Sequence, residues 1–227
     1  VFNGEIYNHR ILKNELLAKD YSFKTSSDTE VIGCMFIKYG PSFVEKLNGI
    51  FAIAIYDEKN NSLFLYRDHF GVKPLYYTEQ NKTLIFASKI DTLFEFPRVS
   101  PSIDIKGFNE IFTIGPAKTY GSGVFYGIKE LLPGEYLSYT PEGIRKSFYY
   151  KLTSKPHEDN FKETVDKTRY LLEDSIKGQM ISDVPICTFL SGGIDSSIVS
   201  SICNMNLPKD EILSTYSFDY EDNDIHF

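Results

Sequence analysis

The sequence predicts two domains of different class, an antiparallel α+β domain followed by the start of an α/β domain with a parallel sheet. At 227 residues the chain exceeds the usual size of a single domain. Short β-branched and aromatic runs separated by Gly and Pro turns fill residues 1–152, which is typical of antiparallel strands. Residues 161–227 give the order strand, glycine loop, helix, strand of a βαβ unit. The polar stretch 153–160 between them is predicted to be a linker.

The first domain is predicted to begin with a short strand, a turn and two helices. Asn3-Gly4-Glu5 has the composition of a turn. Apolar residues at helical spacing predict a helix over Asn8–Lys19. A second helix is expected after Ser26, Ser27 and Asp28, each of which offers an N-cap oxygen, and it should end at Gly40-Pro41. Cys34 lies inside this helix, where we expect it to pack in the core.

The rest of the first domain is predicted to be mainly β-structure. A polar loop at residues 57–61 indicates a hairpin between the first two of these strands. The predicted strands are Gly49–Tyr56, Ser62–Arg67, Pro74–Thr78, Leu84–Ala87, Glu135–Tyr139 and Ser147–Tyr150. Turns are predicted where Gly and Pro cluster, as at Gly115-Pro116.

The second domain is predicted to open with a helix over Phe161–Lys177 that buries Val165, Leu172 and Ile176. A strand over Ile186–Leu190, apolar except for Thr188, has the character of a buried parallel strand. A helix from Asp195 to about Asn204 and a strand over Ile212–Phe218 complete the predicted βαβ unit.

Composition excludes several classes of function. The formal net charge is −7 and the pI near 5.2, whereas binding to the nucleic-acid backbone needs a dense Lys and Arg surface. No apolar run has membrane-spanning length, and the first residues do not have the pattern of a signal peptide. Three cysteines without CxxC pairing indicate neither a zinc site nor a disulfide framework. We therefore expect a cytoplasmic protein with no nucleic-acid or membrane partner.

The strongest candidate binding site is the glycine loop of the second domain. Ser191-Gly192-Gly193 follows a predicted strand and precedes a predicted helix, so backbone N–H groups and the helix dipole would favour an anion there. The hydroxyls of Ser191 and Ser196 could donate to phosphate oxygens. Asp195 would repel a phosphate unless it holds Mg²⁺ or caps the helix. A strand-to-helix turn that binds nothing is the alternative for the Ser-Gly-Gly part alone.

The complete string over residues 189–197, FLSGGIDSS, resembles the SGGxDS signature of the ATP pyrophosphatase family. The resemblance implies that Ser191, Gly192, Gly193, Asp195 and Ser196 hold the pyrophosphate of ATP, with Asp195 as a candidate Mg²⁺ ligand. Leu190 and Phe218, at the ends of the two strands, are candidate walls for the adenine, although both could simply pack the sheet.

A second candidate site lies at the start of the chain. The Asn3 side-chain amide and the Gly4 backbone N–H are donors that could form an oxyanion hole. Glu5 and Asp28 are carboxylates that could hold the ammonium group of an amino acid. Each of these features alone could also be structural, Asn3-Gly4 as a turn and Asp28 as a helix cap.

Residues 3–9, NGEIYNH, and 26–30, SSDTE, resemble the glutamine pocket of class II amidotransferases, which are N-terminal-nucleophile hydrolases. The order of further blocks along the chain resembles glutamine-dependent asparagine synthetases. These blocks are residues 48–52, 67–77, 86–88, 120–123 and 133–134. For residues 67–77 a scaffold role is favoured over contact with substrate. The resemblance implies a sandwich of antiparallel sheets with flanking helices for the first domain.

The resemblance also implies a reaction. Glutamine would be hydrolysed at one site, and the ammonia would reach β-aspartyl-AMP made from aspartate and Mg-ATP at the other, giving asparagine, glutamate, AMP and pyrophosphate. Glutamine, aspartate and ATP would be the substrates and Mg²⁺ the cofactor. The family often dimerises through its amidotransferase half, so a homodimer is a further expectation.

The nucleophile of this family is an N-terminal cysteine, and Cys34, Cys187 and Cys203 all lie inside predicted elements. The arginine-bearing loop that grips the glutamine carboxylate is not found either. We therefore expect a fragment cut at both ends and inactive alone. Two alternatives remain open, a related amidotransferase-ligase that activates another carboxylate and a non-catalytic module with the amidotransferase fold.

Overall fold

The computed structural model describes residues 1–114, 119, 121 and 123–218. The chain forms two compact units that divide between Thr153 and Ser154. The predicted turn at Gly115-Pro116, and Tyr120 and Ser122 of the 120–123 block, lie outside the described residues. So does the acidic stretch from residue 219 onwards.

The first unit contains strands and short helices in mixed order. Its strands are β1 (Phe2–Ile6), β2 (Gly49–Asp57), β3 (Ser62–Arg67), β4 (Tyr76–Gln80), β5 (Thr83–Ala87), β6 (Lys129–Glu130), β7 (Glu135–Thr140) and β8 (Gly143–Phe148). Its α-helices are α1 (His9–Leu17), α2 (Asp28–Tyr39), α3 (Ile90–Phe94) and α4 (Ile105–Ile114), and a 3-10 helix spans Gly40–Lys46.

Two antiparallel sheets build the first unit, which confirms the predicted fold class. The larger sheet has the strand order β1-β2-β3-β7-β8 and the smaller has the order β5-β4-β6. Leu16, Val31 and Met35 of α1 and α2 pack with Phe51 and Ile53 on one face of the larger sheet. On its other face, side chains of β2, β3 and β7 pack against the smaller sheet in a second core. The layers are therefore helices, sheet and sheet.

Two predictions for this unit were wrong. Asn3-Gly4-Glu5 is not a turn but the middle of β1, where Gly4 permits a close approach to β2. The last strand is Gly143–Phe148 instead of Ser147–Tyr150, because it is an exposed polar strand that lacks the apolar alternation used to find strands. Helices α3 and α4 were not predicted at all.

The second unit contains α5 (Phe161–Gln179), β9 (Cys187–Phe189), α6 (Ile194–Asn206) and β10 (Ser214–Tyr216). Strands β9 and β10 are parallel, so the predicted βαβ unit is confirmed. Helix α5 begins with a capping box, in which the Asn160 side chain accepts the Glu163 N–H and the Glu163 carboxylate accepts the Asn160 N–H.

The prediction that α5 buries Val165, Leu172 and Ile176 was wrong, since the helix has no buried residue. Val165 and Leu172 are 39% and 41% exposed. Both side chains line a groove against α6, and that contact covers only part of the apolar face. Among the helices of the described residues, none combines the length and the apolarity that crossing a membrane requires.

Candidate functional site

Strand β1 presents Asn3 and Glu5 on one face of the larger sheet. Both side chains are exposed, whereas Phe2 and Ile6 pack into the core on the helix side. Asn3 lies opposite Ala52 in β2, whose side chain belongs to the core between the two sheets. Because side chains alternate along a strand, Asn3 and Glu5 lie on the side of the smaller sheet.

Gly4 lies between these two residues and opposite Phe51. A Cβ atom at this position would lie 2.0 Å from the Ile50 carbonyl oxygen, and the φ angle is +154°. No residue with a side chain fits at this distance from β2. The glycine therefore follows from strand packing, independently of any role that its N–H has toward a substrate.

Asp28 is held at the end of β1 by a long-range hydrogen bond. The Ile6 N–H donates to Asp28 Oδ2 at 3.2 Å across 22 residues of sequence. The helix cap itself is Ser27, whose hydroxyl accepts the Thr29 N–H at 3.2 Å. Asp28 is thus not the cap, and the fold brings its carboxylate next to the segment that carries Asn3, Gly4 and Glu5.

Hydrogen bonds to the Glu30 carboxylate fix the loop that precedes Asp28. The Glu30 carboxylate accepts hydrogen bonds from the Lys24 N–H, the Thr25 N–H and the Thr25 hydroxyl, at 2.7–2.8 Å. The backbone donor of Lys24 is the largest cause that lowers the pKa of Glu30, followed by the Thr25 hydroxyl. Glu30 is the last residue of the SSDTE motif, and the sequence predicted no role for it. Its contacts indicate that it shapes this loop.

Asn8 and His9 anchor the chain where β1 ends. The Asn8 amide donates to the Lys46 carbonyl at 2.9 Å and its oxygen accepts the Asn48 N–H at 3.0 Å. His9 is buried, and its Nδ1 lies 2.8 Å from the Ile6 carbonyl oxygen. Both polar groups of the Ile6 backbone are therefore occupied, one by Asp28 and one by His9.

The smaller sheet also contributes to this region. The Asn3 Nδ2 donates to the Ser88 hydroxyl at 3.0 Å across 85 residues of sequence. In the sequence, Ser88 belongs to residues 86–88, which resemble asparagine synthetases but have no predicted function. The contact joins residues distant along the chain, so no local pattern could have indicated it.

The loop after β3 is organised by a buried carboxylate. Asp68 is 1% exposed and accepts hydrogen bonds from the N–H groups of Phe51, Phe70, Val72 and Lys73. The Arg67 guanidinium donates to the Gly71, Lys73 and Leu131 carbonyls and to Glu130. These contacts are all internal, which supports the expected scaffold role of residues 67–77.

Cys34, the cysteine of the first unit, does not lie beside Asn3 and Gly4. Cys34 packs against the core on the helix side of the sheet, opposite to the face of Asn3. Burial, and secondarily Glu30, raises the pKa of its thiol. Cys187 lies on β9 and Cys203 in α6, both in the other unit, and burial raises the pKa of Cys203. Within the described residues of the first unit, no thiol faces the candidate oxyanion donors.

The glycine loop of the second unit joins β9 to α6. Gly192 has a φ of +82°, which favours glycine at this position. A Cβ atom there would meet nothing within 4 Å, so the loop is open around it. The hydroxyl of Ser196 accepts the Ser191 N–H at 3.2 Å, lies 3.0 Å from the Ser191 hydroxyl, and donates to the Gly193 carbonyl at 3.1 Å. The two predicted phosphate-binding serines are therefore in direct contact.

The first turn of α6 is open for an anion. Gly193 is the N-cap and provides no side-chain cap, so first-turn N–H groups lack partners within the helix. Asp195 is exposed in this turn, and no hydrogen bond or ion pair ties it to another described residue. The described part of the chain has no cluster of three or more metal-ligating side chains. Asp195 could contribute one ligand, as is usual for Mg²⁺ that is bound mainly by substrate phosphates.

The candidate adenine walls lie next to the loop. The Leu190 N–H donates to the Tyr216 carbonyl at 2.9 Å, and the Ser217 hydroxyl donates to the Leu190 carbonyl at 2.6 Å. The ring of Phe218 stacks on Phe189, with centroids 6.3 Å apart and planes 19° apart. Sequence reasoning missed Phe189, whose exposed ring lies in the same place.

Comparisons with known proteins match both units. Residues 1–150 match the family model described as a glutamine amidotransferase domain, and residues 167–226 match the model described as asparagine synthase. The glutamine-hydrolyzing asparagine synthetase 3 of Bacillus subtilis is 42% identical, over 100% of this chain and 37% of that protein. Asparagine synthetase B of Escherichia coli is 35% identical, over 88% of this chain and 31% of that protein.

A third relative has a different name. Amidase chyE of Penicillium rubens is 31% identical, over 89% of this chain and 30% of that protein. The chain spans about a third of the length of these curated relatives. The resemblance inferred from the motifs is confirmed.

Proposed function

The chain belongs to the glutamine amidotransferase domain family, and from this premise we propose that it forms part of a glutamine-dependent asparagine synthetase. The observation that carries the proposal is the hydrogen bond from the Ile6 N–H to Asp28, because it joins two motifs that are separate in the sequence. In the proposal, Asn3, Gly4, Glu5 and Asp28 together form one wall of the glutamine pocket.

In this proposal, Glu5 and Asp28 bind the α-ammonium group of glutamine. An ionised carboxylate has several acceptor positions, so Asp28 can hold an ammonium group while it accepts the Ile6 N–H. The Asn3 amide and the Gly4 N–H donate to the oxyanion that forms when a cysteine thiolate outside these residues attacks the glutamine side-chain amide. Water then releases glutamate, and the net products are glutamate and ammonia.

The second unit is proposed to bind ATP. The Ser191-Gly192-Gly193 loop and Ser196 would hold the pyrophosphate, while Leu190 and Phe218, together with Phe189, would contact the adenine. Mg²⁺ held by Asp195 and the phosphates would neutralise the charge on the leaving pyrophosphate. The aspartate side-chain carboxylate attacks the α-phosphorus, which gives β-aspartyl-AMP and pyrophosphate. Ammonia then displaces AMP and gives asparagine.

Further parts of the proposal come from the composition of the sequence and from the resemblance. They are a linker at residues 153–160, with units at 1–152 and 161–227, a homodimer formed through the first unit, and a cytoplasmic location. A second candidate function is a related amidotransferase-ligase that activates another carboxylate, and the 31% identity to a relative with a different name, an amidase, supports it.

The test is product analysis of the full-length protein incubated with Mg-ATP, aspartate and glutamine. Asparagine, glutamate, AMP and pyrophosphate in equal amounts are expected. Glutamate formation without asparagine, in the presence of aspartate, would overturn the asparagine assignment and favour the second candidate.

A further inference from the structure

Ser88 links the candidate oxyanion donor to the smaller sheet. Asn3 lies on β1 of the larger sheet, and Ser88 is one of two residues that connect β5 to α3. Their side chains form a hydrogen bond of 3.0 Å from Asn3 Nδ2 to Ser88 Oγ. The two sheets are thus joined directly at the residue whose amide is proposed to stabilise the transition state.

The position of Ser88 is set by well-packed neighbours. Ala87, directly before it, is paired with Tyr76 in the sheet and packs against the core that contains Leu93. Leu93, in the helix directly after it, is fully buried. Because a connector of two residues between packed elements has little freedom, the Ser88 hydroxyl has a defined place relative to the sheet.

An asparagine amide needs such a partner if it is to act as an oriented donor. The torsion that rotates the amide plane is broad and roughly two-fold, so an exposed asparagine samples both flipped orientations. Asn3 is exposed on β1. Its Nδ2 carries two hydrogens, and the bond to Ser88 uses one, which leaves the second with a fixed direction.

We propose that Ser88 is a positioning residue for glutamine hydrolysis, which fixes the Asn3 amide so that its second N–H faces the developing oxyanion. This inference rests on the proposed function of the first unit. It concerns a residue that does not touch glutamine, so its effect belongs to the rate of the chemical step and not to glutamine binding.

The experiment compares Ser88→Ala and Ser88→Thr in the full-length protein. Loss of an oxyanion donor costs about 100- to 1,000-fold in kcat, and a donor that is present but unoriented should cost less. We expect Ser88→Ala to lower kcat for glutamine hydrolysis about 10-fold with KM for glutamine unchanged. Ser88→Thr, which keeps the hydroxyl, should recover most of this loss. Asparagine synthesis from added ammonia should be unaffected in both variants.

Ser100→Ala is the matched control, because it removes another exposed side-chain hydrogen bond of 3.0 Å, the one to Ser102. It should leave kcat unchanged. Glutamine hydrolysis by Ser88→Ala within two-fold of wild type overturns the inference, and so does an equal loss of ammonia-dependent synthesis, which would show a general structural defect. If the wild-type protein does not release glutamate from glutamine, the proposed function itself fails, and this is seen before any variant is made.

Discussion

At the scale of single residues, Asp68 shows how one buried carboxylate can organise a loop. Replacing Asp68 with Ala would leave up to four backbone N–H groups without their acceptor, of which that of Phe51 is buried and the others are partly buried. Unsatisfied buried donors cost about 1–3 kcal/mol each, although the loop can relax around some of them. We expect Asp68→Ala to lower the free energy of unfolding by about 3 kcal/mol, measured by urea denaturation.

Asp57→Ala is the control for this prediction. Its carboxylate also accepts side-chain and backbone hydrogen bonds, both from Asn60, but in an exposed hairpin. The donors released there can bond to water, so the expected cost is below about 1 kcal/mol. Equal losses in the two variants would contradict the scaffold role given to Asp68.

His69 gives a pH dependence with a defined sign. Burial lowers the pKa of His69, and the nearby charge of Asp68 raises it by a smaller amount. The folded-state pKa therefore lies below the unfolded value of about 6.5. As the pH falls through 6.5, the unfolded chain takes up the proton first, so this group's contribution to stability is present above that pH and is lost below it.

The measurement is the free energy of unfolding at pH 7.5 and pH 5.5 for wild type, His69→Gln and His157→Gln. His69 packs edge-on against Tyr149 and Tyr150, so tyrosine fluorescence reports on the same region. We expect a smaller loss at low pH for His69→Gln than for wild type. His157→Gln, which removes an exposed histidine from the other unit, is the control for the loss of a histidine as such. Identical curves for wild type and His69→Gln would refute the prediction.

The residue types in the first candidate site could be predicted from the sequence, but their contacts could not. Asn3, Gly4, Glu5 and Asp28 were singled out by the resemblance of their motifs to the glutamine pocket of class II amidotransferases, because each of them alone could be structural. The hydrogen bond between Ile6 and Asp28 spans 22 residues of sequence, and the one between Asn3 and Ser88 spans 85. Both form only because the folded chain brings these segments together. Local periodicity contains no information on such distances.

At the scale of elements, prediction succeeded where apolar periodicity was strong. Helix α2 and the β2–β3 hairpin have buried faces that the pattern shows directly. Strand β8 was misplaced because Arg145, Lys146 and Ser147 are exposed. Helix α4 was not predicted because Gly107 interrupts the pattern of helix-forming residues near its start and because the turn sequence Gly115-Pro116 follows it directly. For α5 the helical spacing of apolar residues predicted the helix correctly. The prediction that its apolar face is buried was wrong.

Strand β1 and helix α2 offer a matched pair of glycine substitutions. Gly4→Ala would place a Cβ atom 2.0 Å from the Ile50 carbonyl oxygen, whereas a Cβ atom at Gly33 in α2 meets nothing within 4 Å. We expect Gly4→Ala to lower the free energy of unfolding by 2 kcal/mol or more, on the order of the cost of overpacking. Gly33→Ala should raise it by about 0.5–1 kcal/mol, since glycine inside a helix is unfavourable.

Urea denaturation of both variants checks this prediction. A neutral Gly4→Ala would mean that β1 can move away from β2 without cost, and the argument that packing requires a glycine next to Asn3 would fail. A destabilising Gly33→Ala would show that the exposed face of α2 is constrained by something other than helix propensity.

At the scale of the whole molecule, the two candidate sites belong to separate compact units, each with its own hydrogen-bond network. Each site should therefore keep its local chemistry when the other is damaged, even though the proposed overall reaction requires both.

Two isosteric substitutions in the full-length protein test this separability. Asp28→Asn removes the charge proposed to hold the ammonium group of glutamine, and Asp195→Asn removes the proposed Mg²⁺ ligand. A hydrogen bond to a charged group contributes about 1.5–3 kcal/mol, which corresponds to roughly 10- to 100-fold in affinity or rate. We expect Asp28→Asn to raise KM for glutamine by that factor while ammonia-dependent asparagine synthesis stays at the wild-type rate.

Asp195→Asn should give the reverse result, with glutamine hydrolysis near the wild-type rate and asparagine synthesis reduced roughly 10- to 100-fold from either nitrogen source. Asp57→Asn, in the exposed hairpin, should change neither activity. If Asp195→Asn also abolishes glutamine hydrolysis, hydrolysis depends on an occupied ATP site. Glutamine hydrolysis in the first unit would then be coupled to the ATP site of the second. The separate hydrogen-bond networks would describe the protein without substrates but not the protein during the reaction.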